Sequence, residues 1–226
     1  MSDVHLHILV EGQTEEGFVK DVLTPHLLPL RIYPRAILIG KRKNYRGGGG
    51  NSYARIALDI NGQLRQNNKR DDFYLTTMLD LYALPTDFPQ FDQARKIRDP
   101  RQRVRFLEQK LAKAHPDRRF LPYLQLHEFE SLPFADLTVF ESEFPDAGTA
   151  IQHLANQLKY EANNDPELLN DRPATAPSKR LLKQLADYDK TLHGPMLTYL
   201  IGLSTLRMRC LHFGAWLTKL ESLVPV

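Results

Sequence analysis

The chain has 226 residues, 42% of them hydrophobic and 25% charged, which places it among ordinary globular proteins able to bury a core without a staple. Its single cysteine, Cys210, excludes an internal disulfide and any Cys-x-x-Cys zinc or thiol-exchange site, and a reducing cytosol fits that usage best. The net charge of +3 conceals an uneven spread: from Val22 to Leu58 there are seven Lys or Arg residues and no acid, and a second basic stretch runs from Arg95 to Arg119, so a polyanionic partner is expected.

The start, MSDVHLHILV, lacks the basic head and long apolar run of an export signal. The apolar stretch Met196 to Leu206 is interrupted by Thr198, Gly202, Ser204 and Thr205, too short for a hydrocarbon core of about 30 Å. No membrane span is expected, and a cytoplasmic location.

His5 to Val10 is short, apolar and β-prone, and it stops at Glu11-Gly12, which predicts a buried strand ending in a tight turn. Thr14 then caps a helix over Glu15 to Leu23, with Glu15 and Glu16 complementing the positive end of its dipole. Arg35 to Ile39 is a second strand. Lys41 to Asn51 follows it, basic and interrupted by Gly47 to Gly50, and predicts a mobile loop. Ile56, Ile60 and Leu64 fall on one face of a helix over Ser52 to Gln66, and Phe73 to Leu79 is a strand ending in Asp80. Gln102 to Ala114 is helical through Val104, Leu107 and Leu111, and Leu121 to Leu126 is a strand that ends in His127-Glu128-Phe129-Glu130. Beyond Ile151 the pattern is helices only. Strands alternating with helices predict an α/β fold with a mostly parallel sheet, residues 1–136, and a helical C-terminal region, 137–226, packed on it as one compact unit.

Three of the predicted strands end at an acid. In a parallel sheet the carboxyl ends share one edge, where such folds bind ligands, so Glu11, Asp80, Glu128 and Glu130 converge, with Glu15 beside them. Crowded carboxylates raise one another's pKa unless a cation lies between them, and Mg²⁺ or Mn²⁺ suits oxygen ligands. The plainer reading makes Glu11 a solvated turn residue, Glu15 a partner of the helix dipole, and His127 to Glu130 a polar strand edge or helix start.

Cations complete the pattern. Lys179 and Arg180 follow the predicted cap Ser178 in a first helical turn, where the dipole disfavours positive charge; they read either as phosphate ligands beside the acids or as members of surface ion pairs. Lys190, Arg207, Arg209 and His212 are further candidates. Lys41 to Arg46, with Arg42, Lys43, Arg46 and the ring of Tyr45 before the glycines, suits nucleic-acid backbone contact, or simply a solvated loop. No Gly-Lys-Ser/Thr, Gly-x-Gly-x-x-Gly, Gly-x-Ser-x-Gly or His-Glu-x-x-His motif is present. His5 and His7 share one strand face and read as packed or hydrogen-bonded histidines; Cys210 and Trp216 read as core.

The chain resembles a bacterial family known as domain of unknown function 4276, and through it the TOPRIM fold. The resemblance rests on Val10-Glu11-Gly12-Gln13-Thr14-Glu15, Met78 to Pro85, His127 to Glu130, Pro177-Ser178-Lys179-Arg180 and the stretch Ile201 to Trp216. TOPRIM domains occur in topoisomerases, primases and nucleases, where a glutamate after the first strand and an Asp-x-Asp after a later one bind Mg²⁺ beside a phosphodiester. The resemblance implies that Glu11 and Asp80 take those places, and that Glu15 matches a further acid of TOPRIM nucleases of the overcoming-lysogenisation-defect class. Tyr82 stands where the second aspartate belongs. Taken together these features predict a Mg²⁺- or Mn²⁺-dependent nuclease or nicking enzyme. Glu11, Glu15, Asp80, Glu128 and Glu130 are the candidate metal ligands; Glu11, Asp80, Glu128 and Lys179 the candidate catalytic residues; Arg42, Lys43, Arg46, Arg180 and Lys190 the candidate phosphate contacts. The resemblance further implies a role in phage defence with an ATPase of the ATP-binding-cassette type. The alternative is a non-catalytic nucleic-acid-binding or regulatory module.

Overall fold

The computed structural model describes residues 3–40, 52–170 and 175–224. The predicted loop from Lys41 to Asn51, with Arg42, Lys43 and Arg46, lies outside them. Strand β1 (Val4–Val10) is the hub of the sheet, pairing in parallel with β2 (Ile32–Leu38) on one side and β3 (Phe73–Asp80) on the other. β3 continues the parallel sheet to β4 (Phe120–Leu121) and to β5 (Leu124–Gln125). The register sets Val10 beside Leu38 and Met78, and Asp80 beside Gln125, so the carboxyl ends lie along one edge. An α/β fold with a mostly parallel sheet, flanking helices and a helical C-terminal part is what the structure has.

The period-two alternation of β1 divides its neighbours. Val4, Leu6, Ile8 and Val10 face a core completed by Phe18, Phe213, Trp216 and Leu220. Leu9 belongs to the opposite core, with Phe73, Leu75 and Leu79 of β3 against Ile56, Ile60 and Leu64, and against Val104, Leu107 and Leu111. Those two triplets lie on the helices α3 (Tyr53–Gln66) and α5 (Pro100–Ala114), at the spacing the sequence predicts. On the same face His7 Nδ1 shares a 2.7 Å hydrogen bond with Gln63 Oε1 and its ring meets Phe73 edge-on, a packed histidine as expected.

Two expectations change in detail. The helix after β1 begins one residue before Thr14: α1 (Gln13–Phe18) has Gly12 at its N-cap and runs through a π turn, Val19–Leu23, into α2 (Thr24–Leu27). Pro25 has no N–H to continue an α ladder, and the Thr24 hydroxyl donates to Val19 O at 2.7 Å, so the widened turn absorbs the mismatch. The predicted strand Leu121 to Leu126 splits in two, because Pro122 cannot donate to the sheet. Side chains bridge the gap: Thr77 Oγ1 accepts from Tyr123 N and donates to Tyr123 O, at 2.9 and 2.7 Å.

The C-terminal half is helical. The short α4 (Phe91–Ala94) precedes α5, and after a 3₁₀ stretch, Phe129–Ala135, come α6 (Phe140–Glu143), α7 (Gly148–Ala162), α8 (Pro177–Gln184), α9 (Lys190–Ile201), α10 (Leu203–Arg209) and α11 (Leu211–Glu221). Phe140, Leu154, Leu158, Leu181 and Leu197 form a third apolar cluster among α6 to α9. Trp216 of α11 stacks on Tyr123 at 4.4 Å, and its indole N–H donates to Thr76 Oγ1, fixing the last helix to the sheet. Cys210 is buried, as expected of a core residue. Among the described residues no helix is long and apolar enough to cross a membrane.

Candidate functional site

The acids meet at the carboxyl edge of the sheet. Glu11 follows the last residue of β1, and its Oε1 accepts the backbone N–H of Asp80 at 2.9 Å, so the side chain after one strand caps the end of the next. Glu15, one turn into α1 and buried, accepts the Gly12 N–H at 2.9 Å. His127 stands in the left-handed region at φ +61, and this turn leads into Glu128 and the buried Glu130. The Tyr82 N–H donates to His127 O at 3.0 Å, which ties the end of β3 to that turn.

Four glutamates bear on one aspartate. Burial, and then the charges of Glu11, Glu15, Glu130 and Glu128 in falling order, hold the Asp80 carboxyl well above the usual carboxylate range. Burial pushes Glu11 up to about 7 against the pull of the Asp80 N–H, with Glu15 adding to the rise. Glu130 is likewise pushed up to about 7, by burial and then by Glu128, while Lys190 opposes the shift. Burial raises Glu15 as well.

An all-oxygen donor set of mutually destabilised carboxyls is of the kind that suits a hard divalent ion. As they stand, no three His, Cys, Asp or Glu side chains among the described residues are gathered to hold one. The partners already described account for this. Glu11 and Glu15 are turned to backbone N–H groups, Glu128 Oε1 accepts the Ser178 N–H at the start of α8, and Glu130 meets Lys190, whose Nζ lies 3.2 Å from Glu130 Oε1 and 3.9 Å from Glu128 Oε2.

A family model described as a domain of unknown function (DUF4276) matches residues 10–221. The chain belongs to the DUF4276 family. No curated protein and no solved structure matches it.

Within this DUF4276 chain the predicted cations part company. Lys190, a weaker candidate on the sequence, sits among the acids. Lys179 is exposed in the first turn of α8, the helix whose N-terminus Glu128 holds. Arg180 is buried and committed elsewhere: its Nη2 pairs with Glu161 Oε2 at 2.8 Å and its Nε donates to Thr175 O at 2.7 Å. Ser178 is not the cap of α8; Ala176 holds that place and Pro177 is the first helical residue, so the sequence Ser-Lys-Arg lies two residues deeper in the helix than expected. Tyr82 is 40% exposed with its ring 5.8 Å from that of His127, at the lip of the acid cluster.

Sequence reasoning missed two features. Glu167, in the connection between α7 and α8, is fully buried. Its carboxylate accepts from Arg101 and from the backbone N–H groups of His212 and Phe213, capping α11 from a distance. Nothing in the local sequence marks Tyr188. It is 4% exposed, its hydroxyl has no hydrogen-bond partner among the described residues, and the charges of Glu130 and Glu128 add to the burial that raises its pKa.

Proposed function

We propose that this DUF4276 protein performs metal-dependent phosphodiester chemistry on nucleic acid, of the nuclease or nicking type. The observation that carries the reading is Asp80, held at the end of a central strand under the charges of Glu11, Glu15, Glu128 and Glu130. Perturbed carboxyls gathered at the carboxyl edge of a parallel sheet mark a site of chemistry more readily than of folding. In this reading Glu11 and Asp80 hold Mg²⁺ or Mn²⁺, and Glu15, Glu128 or Glu130 completes the shell. Such an ion polarises a phosphodiester and lowers the pKa of a bound water. Glu130, pushed to about 7, is set to take or return a proton near neutrality, and Glu128 is its alternate in that role. In this reading Lys179 and Lys190 offset phosphate charge; Arg180 joins them only by releasing Glu161. A role in phage defence beside an ATP-binding-cassette-type ATPase is supported by the TOPRIM resemblance alone.

The test is incubation of the purified protein with supercoiled and single-stranded DNA and with RNA in Mg²⁺ or Mn²⁺. Cleavage by the wild type is expected to fall at least about 100-fold in Glu11→Ala and in Asp80→Ala, the scale of losing an electrostatic catalytic group. Wild-type inertness, or undiminished cleavage by both variants, sinks the proposal. Tyr82, in the place of a second aspartate, favours a second reading, a nucleic-acid-binding module without catalysis. Salt-sensitive binding with no cleavage under any ion supports that one.

A further inference from the structure

The β4 side of the sheet ends in a trench. Helix α5 packs on one face of the sheet and α11 on the other, and beyond the last strands the two close on each other, where His212 Nε2 lies 2.9 Å from Glu108 Oε1. The same carboxylate oxygen accepts the Leu124 N–H at 2.9 Å, and the His212 ring stacks on Tyr123, so this bridge is fixed from both sides. A cavity of about 460 Å³ lies along the trench, walled by Ala112 of α5 and Ala215 of α11 and floored by Phe120, Leu121 and Pro122. That volume is of the size that holds a small organic molecule.

Both helices run against the strands. On α5, Glu108 is level with Leu124, and His115, just past the helix, lies edge-on to Phe120. On α11, Trp216 is level with Thr76, and beyond the helix Val224 O accepts from the hydroxyl of Tyr74, near the start of β3. Two cations line the cavity, Arg105 one turn before Glu108 and Lys219 near the end of α11, so they stand at its opposite ends. With Glu108 level with His212, about 15 Å of helical rise separates the two positions. Both side chains are exposed, and neither makes an ion pair among the described residues.

We propose that this trench is a binding site for a small organic dianion, an apolar body with an acidic group at each end, held by Arg105 and Lys219. Other occupants fit less well. An added peptide strand needs main-chain partners at the sheet edge, and here Pro122 has no N–H while the Phe120 N–H is already given to Asp117 O at 3.0 Å. A nucleic-acid strand needs open ring faces on which bases stack, and Tyr123 and Trp216, stacked on each other, are only 1% and 3% exposed. The small apolar floor and the two separated, unpaired charges match an anion at either end of an apolar spacer. The site shares no residue with the acid cluster and stands whether or not that cluster performs chemistry.

Trp216 lines the cavity and is the chain's one tryptophan, so its fluorescence reports an occupant directly. The experiment is a titration of the full chain with straight-chain dicarboxylates from adipate to sebacate, and with nonanoate, which carries a single carboxylate. A saturable change in emission is expected for at least one dicarboxylate, with nonanoate several-fold weaker. Arg105→Gln and Lys219→Gln, both at exposed positions, are each expected to weaken that binding about ten-fold, the scale of one charged contact. Lys113→Gln removes a cation of α5 outside the cavity and is expected to change nothing. No saturable change with any dicarboxylate overturns the proposal, as do equal affinities for nonanoate and the dicarboxylates, or a loss in Lys113→Gln as large as in the other two variants. A response to an oligothymidylate or a glutamate-rich peptide, with none to the dicarboxylates, overturns it in favour of a macromolecular partner.

Discussion

Glu130 carries a pH signature that a single substitution can read. Burial and the Glu128 charge move it from the ordinary 4.5 to about 7, so between those values the folded chain keeps a proton that the unfolded chain has released. The folded state therefore binds more protons in that window, and the contribution of this group to stability, complete below 4.5, is lost as pH rises through about 7. His127, depressed to about 4, runs the other way: its contribution is lost as pH falls from 6.5 toward 4, and the raised Glu11, Glu15 and Asp80 add to the same raw stability curve. Comparison with Glu130→Gln, which mimics the protonated acid, isolates the Glu130 contribution. The variant is expected to gain on the wild type as pH rises from about 5 to about 8, by on the order of 1–3 kcal/mol in urea unfolding without metal. A difference that stays flat across that range contradicts a displaced Glu130.

At the scale of elements, the joint between α1 and α9 decides where Lys190 sits. The sequence marks Gly17 and Gly194 only as glycines inside helices, where they cost stability, and their use appears when the two helices meet. Gly194→Ala places a methyl against Thr14 and Phe129, with Phe129 Cε1 at 3.2 Å, and is expected to cost about 1–3 kcal/mol. Urea denaturation reads this; an unshifted midpoint means the helices separate freely. The elements themselves were legible wherever the signal was local, as in the period of Ile56, Ile60 and Leu64 or the strand-ending acids Glu11 and Asp80. Legibility failed where a distant partner decides the outcome. Pro122 divides an apolar run because the neighbouring strand needs an N–H there, and Ala176 displaces Ser178 as a cap where Glu128, 50 residues away, takes the Ser178 N–H.

Across the whole molecule, the C-terminal helices complete the core of the sheet rather than hanging from it. Glu167 is the clearest tie: Arg101 at the start of α5 meets its carboxylate at 2.8 Å, and the same carboxylate holds the first turn of α11. Nothing in the stretch Asn163 to Pro177 announces this role, since the partners lie 66 and 45 residues away. Arg101→Ala leaves that charge buried without its cation and is expected to lower stability by about 3–5 kcal/mol, lowering α5 and α11 together in a single thermal transition. Two separate transitions in that variant would show the helical half folding on its own. A buried charge shared by remote segments makes the unit cooperative, and His127, whose ring nitrogen lies 3.0 Å from Glu167 O, links it to the turn that carries Glu128 and Glu130.

The bond from the Asp80 N–H to Glu11 Oε1 makes one carboxylate both a candidate ligand and a clasp between two strands. An ion that recruits that oxygen competes with the amide for its electron density and weakens the bond. The Asp80 amide is thus a reporter placed by the fold itself: its deuterium uptake should quicken as Mn²⁺ saturates the protein, while neighbouring β3 amides inside the ladder stay protected. Slower uptake at Asp80 would mean that the clasp tightens and that Glu11 serves the backbone alone.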